Sequence, residues 1–348
     1  MHKQRTISPK TKVEIYLRKL LKKCKPEDKL PSIRQLKSRF GVSQSVVDKV
    51  VMQLVIENLI VIRRPRGLFK AEPVRPVINL LVFHEKPNPC SFYHEFLADL
   101  LYKLAGAGYR AELISAPDAI HKILETPNKE MVMTFGADWQ DYSLVRNAVQ
   151  AKNSIINLLP DFPEHIAPAM VIDDQLLMET QIGYLHNAGH RKIAYLHLKN
   201  EKVYIRAQNS RWNIFHQLGL EMNLELEKDF LISAAKCNQA QISEKVAAIL
   251  NAESAPTAFL LGSDKLVSGV YDGIQKAGLT PGKEISVLGT DNRQWAEYTS
   301  PPLTSVGFDF DSGFEQLIKM IEDIEKGGEG EILTLPVKVF ERKSVVKL

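Results

Sequence analysis

Apolar residues recur at helical spacing three times within the first sixty positions. Val13, Tyr16, Leu17, Leu20 and Leu21 predict a helix over residues 12–23, with a cluster of lysines on its outer face. Ile33, Leu36 and Phe40 predict a short helix that Gly41 stops, and Ser32-Ile33-Arg34-Gln35 in front of it has the S-x-x-Q form of a capping box. Val47, Val50, Val51 and Leu54 predict a third helix, started by Ser43 as its cap. The opposite face of that helix carries Gln44, Ser45, Asp48 and Lys49, side chains able to reach base edges or phosphates. Ile60-Val61-Ile62 and Leu68-Phe69 read as two strands joined by the turn Pro65-Arg66-Gly67.

Two helices joined by a tight turn and followed by a basic hairpin make a winged helix-turn-helix. Ala71-Glu72-Pro73-Val74-Arg75-Pro76 then punctuates the chain as a stiff linker. From Val77 onward short apolar strands alternate with amphipathic helices. Strands are expected at Val77–Phe83, Tyr109–Ile114, Met131–Phe135, Ile155–Leu159, Ile193–Leu198, Phe230–Ser233, Ala258–Leu261 and Ile285–Leu288. Helices are expected at Phe92–Ala107, Tyr142–Ala151, Arg211–Leu218, Ile242–Leu250 and Lys265–Ala277. Such alternation implies an α/β fold with doubly wound parallel sheets. The stretch is too long for one such sheet, so two similar lobes are expected. Ligands in these sheets sit beyond the carboxyl ends of the strands, and two facing lobes make a cleft.

Charge sharpens this division. Residues 1–75 hold 19 Lys and Arg against 6 Asp and Glu, a net of +13, although the whole chain carries only +4. A basic unit joined to an acidic one points to a polyanion partner for the first alone. Cys24, Cys90 and Cys237 have neither metal-site nor disulfide-framework spacing, and read as buried or incidental thiols of a reducing compartment. No secretory signal and no segment long enough for a bilayer is seen, so a cytoplasmic location without membrane association is expected.

Two family resemblances follow. Leu30-Pro31-Ser32-Ile33-Arg34, Gly41-Val42-Ser43, Leu54, Glu57-Asn58-Leu59-Ile60 and Arg64 to Phe69 resemble the DNA-binding domain of GntR-type bacterial regulators. The resemblance implies DNA contacts from Arg34, Ser43, Gln44, Ser45 and Gly67, joined by the basic side chains Lys49, Arg64 and Arg66. Many family members carry arginine where Gln44 and Asp48 stand; arginine reads guanine and glutamine suits adenine, which implies a shifted operator. Further on, Val171-Ile172-Asp173, Gly189 to Leu196, Arg211, Ser263-Asp264, Ile285 to Asn292, Pro301 to Val306 and Arg342-Lys343-Ser344-Val345 resemble the effector-binding core of LacI/GalR-type repressors, which share the periplasmic-binding-protein-like fold. Joined, the two resemble the arabinose-repressor architecture. They divide the chain into a head at 1–71, a linker at 72–76 and an effector domain at 77–348. In that domain lobe 1 is expected at about 77–160 and 304–329, and lobe 2 at about 161–303 and 330–348.

By position, Arg211 and Asp264 match the arginine and aspartate that hold effector in this family. A guanidinium fork and a carboxylate suit a polyol. The alternatives are a helix cap for Asp264 and a surface ion pair for Arg211. Phe92 and Tyr93 stand where the family places first-lobe contacts, Trp139 and Trp212 could stack on a sugar or pack in the core, and Asp291 closes a strand at the cleft. Asp138 is a weaker candidate. Ile214 replaces the glycine usual three residues after the arginine. Catalysis is not expected. His186 and His190 lack the glutamate of HExxH, Asp309-Phe310-Asp311-Ser312 lacks the glycine of a calcium loop, and neither a phosphate loop nor a nucleophile elbow occurs. No metal or cofactor is expected. The parts suggest a homodimeric, ligand-responsive repressor of carbohydrate-use genes, with double-stranded operator DNA and a small carbohydrate effector as partners. The same parts would serve an activator, whereas a solute-binding component without a regulatory role would have no use for the basic head.

Overall fold

The computed structural model describes residues 8–348 except 58, 64, 72–74, 84–91, 127–129, 152–153, 163, 199–210, 228–229 and 235–237. Two compact units separate between Pro76 and Val77. The first holds α1 (Pro9–Leu21), α2 (Ile33–Phe40), α3 (Gln44–Ile56), β1 (Ile60–Arg63) and β2 (Gly67–Lys70). Its capping box is formed, with Ser32 Oγ accepting from the Gln35 amide and Gln35 Oε1 accepting from the Ser32 amide at 2.8 Å. Gly41 ends α2 at φ +59°, a left-handed conformation that costs glycine nothing. Val13, Leu17, Leu36, Val47, Val50, Val51 and Leu54 close the core from the three helices, while Leu30, Ile60 and Leu68 bring in the hairpin. The hairpin gains a third partner in the segment before α2, where the Leu30 amide donates to the Leu68 carbonyl at 2.9 Å. Arg18 pairs with both Glu14 and Glu57, tying α1 to the end of α3.

The second unit consists of two six-stranded sheets. The first contains β3 (Val77–Val82), β4 (Arg110–Ile114), β5 (Met131–Phe135), β6 (Ile155–Leu158), β7 (Ala169–Val171) and β13 (Ile332–Thr334), in the order β13-β7-β6-β5-β3-β4 and parallel throughout. Helices α4 (Phe92–Gly106), α5 (Pro117–Glu125), α6 (Tyr142–Gln150) and α11 (Phe310–Glu325) belong with it. The second sheet contains β8 (Ile193–Leu198), β9 (Leu231–Ala234), β10 (Ala258–Leu261), β11 (Ser286–Thr290), β12 (Thr304–Phe308) and β14 (Val337–Phe340), in the order β14-β12-β11-β10-β8-β9. Only β14 runs antiparallel to its neighbour. Helices α7 (Asp174–Asn187), α8 (Arg211–Glu221), α9 (Gln239–Leu250) and α10 (Val267–Lys276) accompany this sheet. The inner strands β5, β6, β10, β11 and β12 are buried along their whole length, as parallel strands covered on both faces must be.

The sheets correct the expected lobe boundaries. β7 belongs to the first sheet, not the second lobe; β12 belongs to the second sheet, not the first lobe; β13 returns to the first. Each crossing comes only after a strand has been completed in its home sheet. Among the described residues these crossings fall after β7, after β12 and after β13. The tail is pinned to the second lobe. Ser344 Oγ accepts from the Thr304 amide at 2.8 Å, the Leu348 amide donates to the Ala188 carbonyl, and buried His190 holds the Val346 carbonyl through Nε2 at 3.0 Å. A carbonyl can only accept, so this nitrogen carries the proton. Burial lowers the pKa of that ring, against the opposing bond to Val346, and so disfavours its charged form.

Candidate DNA-contact surface and interlobe cleft

In the first unit the polar face of α3 is free for contact. Ser43, Gln44, Ser45 and Lys49 are exposed, and Asp48 is half-buried. Ser43 sits in the extended conformation of a helix cap, yet its hydroxyl makes no capping bond, contrary to the capping role expected of it. Exposed Arg34 projects from the first turn of α2. In the hairpin turn Arg66 is exposed and Gly67 has φ +114°, while Arg64 lies outside the described residues. Arg63 is a cation that the sequence reading passed over. It pairs with Glu27 and lies over the Phe69 ring at 5.5 Å, which holds it to the wing.

In the second unit the carboxyl ends of the strands converge. β11 ends in the segment Asp291-Asn292-Arg293, whose first two residues have φ of +94° and +49°. Such conformations in residues other than glycine persist only where surrounding bonds hold them. The bonds are present. The Asp291 amide donates to Val306 O, the Asn292 amide to Ser305 Oγ at 3.0 Å, and the Arg293 amide to Asp264 Oδ2 at 2.8 Å. Arg342 donates to Asn292 Oδ1 at 2.7 Å.

Asp264 is the post behind this segment. It is 0% exposed, and its second oxygen accepts from Ser305 Oγ at 2.9 Å. Gly289 gives it room, because a Cβ there would stand 2.0 Å from Asp264 Oδ1. Burial, then the neighbouring Asp291, push the Asp264 carboxyl up to about 7. Its carboxylate is therefore spent on the loop and sealed from the cleft, which corrects the expectation that it grips a ligand. It is not a helix cap either. Ser263 stands at that position, before a single 3-10 turn over Asp264–Leu266.

Asp291, unlike Asp264, is not sealed from solvent. It is half-buried, its Oδ2 accepts from Ser263 Oγ at 3.0 Å, and its charge acts on that of Arg211. Burial raises its carboxyl above the ordinary range and Arg211 opposes the rise. Arg211 opens α8 and is bound through Nε to Asp174 Oδ1 at 2.8 Å. Burial works against the arginine's charge, but Asp174, then Tyr195 and Asp291, outweigh it and raise its pKa. The expected ion pair thus exists, but its arginine side chain is only 21% exposed, so it is not a pair of the open surface.

Trp212 is half-buried, with its ring 5.7 Å from that of His197 and 6.3 Å from that of Tyr195. It joins a ring stack that runs into the core and has an edge at the end of β8. Tyr93, on the first turn of α4, is 38% exposed and packs edge-on against Phe135 at 5.6 Å. Phe92 starts the same helix, but its side chain is outside the described residues. Trp139 follows β5 and is 67% exposed, so no core packing explains it. Half-buried Asp138 is engaged locally, one carboxylate oxygen accepting from the Gln140 amide. Sequence reasoning missed Asp174, Ser263, Lys265, Glu95 and Arg293. Lys265 lies within electrostatic reach of both Glu95 and Asp291. Arg293, 2% exposed, reaches from the second lobe to Glu95 on α4 of the first, Nη1 to Oε2 at 3.0 Å.

Comparison with known proteins agrees with both halves. The profile of bacterial regulatory proteins of the gntR family matches residues 9–69, and that of the periplasmic binding protein-like domain matches residues 182–345. The chain carries a GntR-type head on a periplasmic-binding-protein-like body. The HTH-type transcriptional repressor PurR of Vibrio parahaemolyticus is 30% identical over 174 residues, 47% of this chain and 49% of that protein. The chain thus spans about half the length of the curated relatives it matches. Solved structures cover more of it. A regulatory protein of the LacI family from Chloroflexus aggregans superposes over 76% of this chain and 98% of its own with a TM-score of 0.63 at 19% identity. The Escherichia coli transcriptional repressor ascG does so over 78% and 100%, with the same score and identity. These likenesses show the fold of the body. Among the described residues no helix is long and apolar enough to cross a membrane and no cluster suited to a metal ion occurs. Cys24 is a free, half-buried thiol, whereas Cys90 and Cys237 lie outside the described residues.

Proposed function

We propose that this protein is a ligand-responsive transcription regulator, a repressor that binds operator DNA through the GntR-type head and a small carbohydrate in the cleft of the body. The observation that carries the reading is the unused polar face of α3. Four exposed side chains able to meet DNA, one of them a serine released from its capping bond, stand on a head of strongly positive charge. Gln44 and Ser45 would select bases, and Arg34, Lys49, Arg66 and the Gly67 amide would meet phosphates. A homodimer would present two such helices to successive major grooves of a palindromic site. In the body Arg211 and Asp291 offer a donor fork and an acceptor to paired hydroxyls, Trp212 and Tyr93 offer apolar ring faces, and Asp264 shapes the loop that presents Asp291. By linkage, effector and DNA alter each other's affinity by the same factor.

The test is a salt titration of binding to DNA flanking the protein's own gene, with and without a mixture of pentoses, hexoses and uronic acids. Sequence-preferring, salt-steep binding that the mixture changes is the expected result. Binding that no sugar alters would move the effector to another chemical class. Equal affinity for random DNA at every salt concentration would overturn the regulator reading.

A further inference from the structure

A buried arginine needs a partner, and Arg293 finds one in the opposite lobe. It follows β11 in the second sheet and is 2% exposed. Its Nη1 meets Oε2 of Glu95, on the first turn of α4 beside the first sheet, at 3.0 Å. Glu95 is itself one-third exposed and lies near a helix N-terminus, where a carboxylate is favoured. The other charges facing the pair are Asp99 and Lys265 around Glu95, with Asp291 and Asp264 on the arginine's side.

The backbone beneath Arg293 has little freedom. Asp264, Ser305, Arg342 and Val306 bind three consecutive residues, two of them at positive φ. One rigid loop therefore presents two groups: the Asp291 carboxylate towards Arg211, and the Arg293 guanidinium towards the other lobe. Anything that draws on Asp291 displaces the base of Arg293, and packed elements of this kind shift as bodies rather than by gradual deformation.

We propose that the Glu95–Arg293 pair is a latch between the lobes, which couples occupancy at Asp291 to the angle of closure. The proposal rests on the reading of the cleft as the effector site. Its strength lies in the cost of parting the pair. Parting the lobes breaks an ion-pair contact made by a guanidinium that is only 2% exposed, and breaking such a contact is costly, so the pair favours the closed arrangement.

The experiment measures lobe separation without DNA or sugar, so a chain that bound no operator would lose the regulator reading and leave this test intact. Full-length protein with its three cysteines changed to serine receives spin labels at Tyr102→Cys on α4 and Leu220→Cys on α8, both exposed positions. Electron–electron distance distributions are recorded in that background and after Glu95→Gln, Arg293→Gln, both together, and Arg293→Lys. The parent should give one narrow distribution. Either glutamine variant should lower the ratio of closed to open molecules on the order of tenfold, within the usual range of coupling between sites. The double variant should be no more open than either alone, and Arg293→Lys should recover most of the closed population. An unchanged distribution in Glu95→Gln, or additive effects in the double variant, would overturn the latch. If circular dichroism shows Arg293→Gln to be unfolded, Glu95→Gln and Arg293→Lys decide the matter. Coupling is read by adding Asp291→Asn, which should shift the distribution in the parent and not in Glu95→Gln; equal shifts would break the link.

Discussion

Asp264 shows how a carboxylate can shape a binding site without touching what is bound. Both its oxygens are committed, to the Arg293 amide and the Ser305 hydroxyl, and the charge sits in a space that Gly289 leaves open. Its sequence position resembled a ligand contact, and nothing in the pattern distinguished a carboxylate facing the cleft from one two bonds behind it. A pH dependence follows. The folded carboxyl titrates at about 7 against 3.8 for the free side chain, so the native state binds the proton more tightly. Between those values the native state holds more protons than the unfolded chain, and stability falls as pH rises from about 4 to about 7. Asp264→Asn cannot titrate. Denaturation at pH 4.5, 6 and 7.5 should show the parent losing ground to the variant as pH rises; a constant difference would remove the burial argument. Gly289→Ala is expected to cost roughly 1–3 kcal/mol in the same measurement, since its methyl group overlaps that carboxylate.

Most of the apolar strands and eight of the helices were legible in the chain, whereas α5, α7, α11, β7, β12, β13 and β14 went unread. The three helices of the head stood out because Val13, Leu17, Leu36, Val47 and Leu54 keep strict spacing. By contrast α7 buries Gln181, which donates to Thr290 Oγ1, so its apolar stripe is interrupted and the helix went unread. β12 is fully buried yet spells Thr-Ser-Val-Gly-Phe, because Ser305 and Gly307 serve the loop beside them. β13 and β14 are three and four residues long and partly exposed, too short to show a period. The contacts between lobes were illegible for a different reason. Glu95 and Arg293 lie almost two hundred positions apart, and only the pairing of the sheets brings them together. The capping box was readable and is checkable: Ser32→Ala should destabilise the head by about 1 kcal/mol, seen as a lower melting temperature of α2 signals.

Across the chain, charge is divided as function would require. The head holds the excess of cations and the body the excess of acids, so salt should weaken DNA binding through the head alone. Lys49→Ala is expected to reduce the slope of log K against log salt by about one and to lower affinity evenly for all sequences. Arg34→Ala should weaken DNA binding and leave sugar binding by the body unchanged; loss of both would contradict the separation of the units. The crossings between the sheets after β7, β12 and β13 carry a further consequence, for the gene. The codons for residues 304–340 encode strands of both lobes: β12 and β14 for one, β13 for the other. A premature stop before β12 therefore spoils both lobes together, and neither can be cloned as one uninterrupted segment. A nonsense mutation just before codon 304 is expected to abolish the body as thoroughly as one near codon 77.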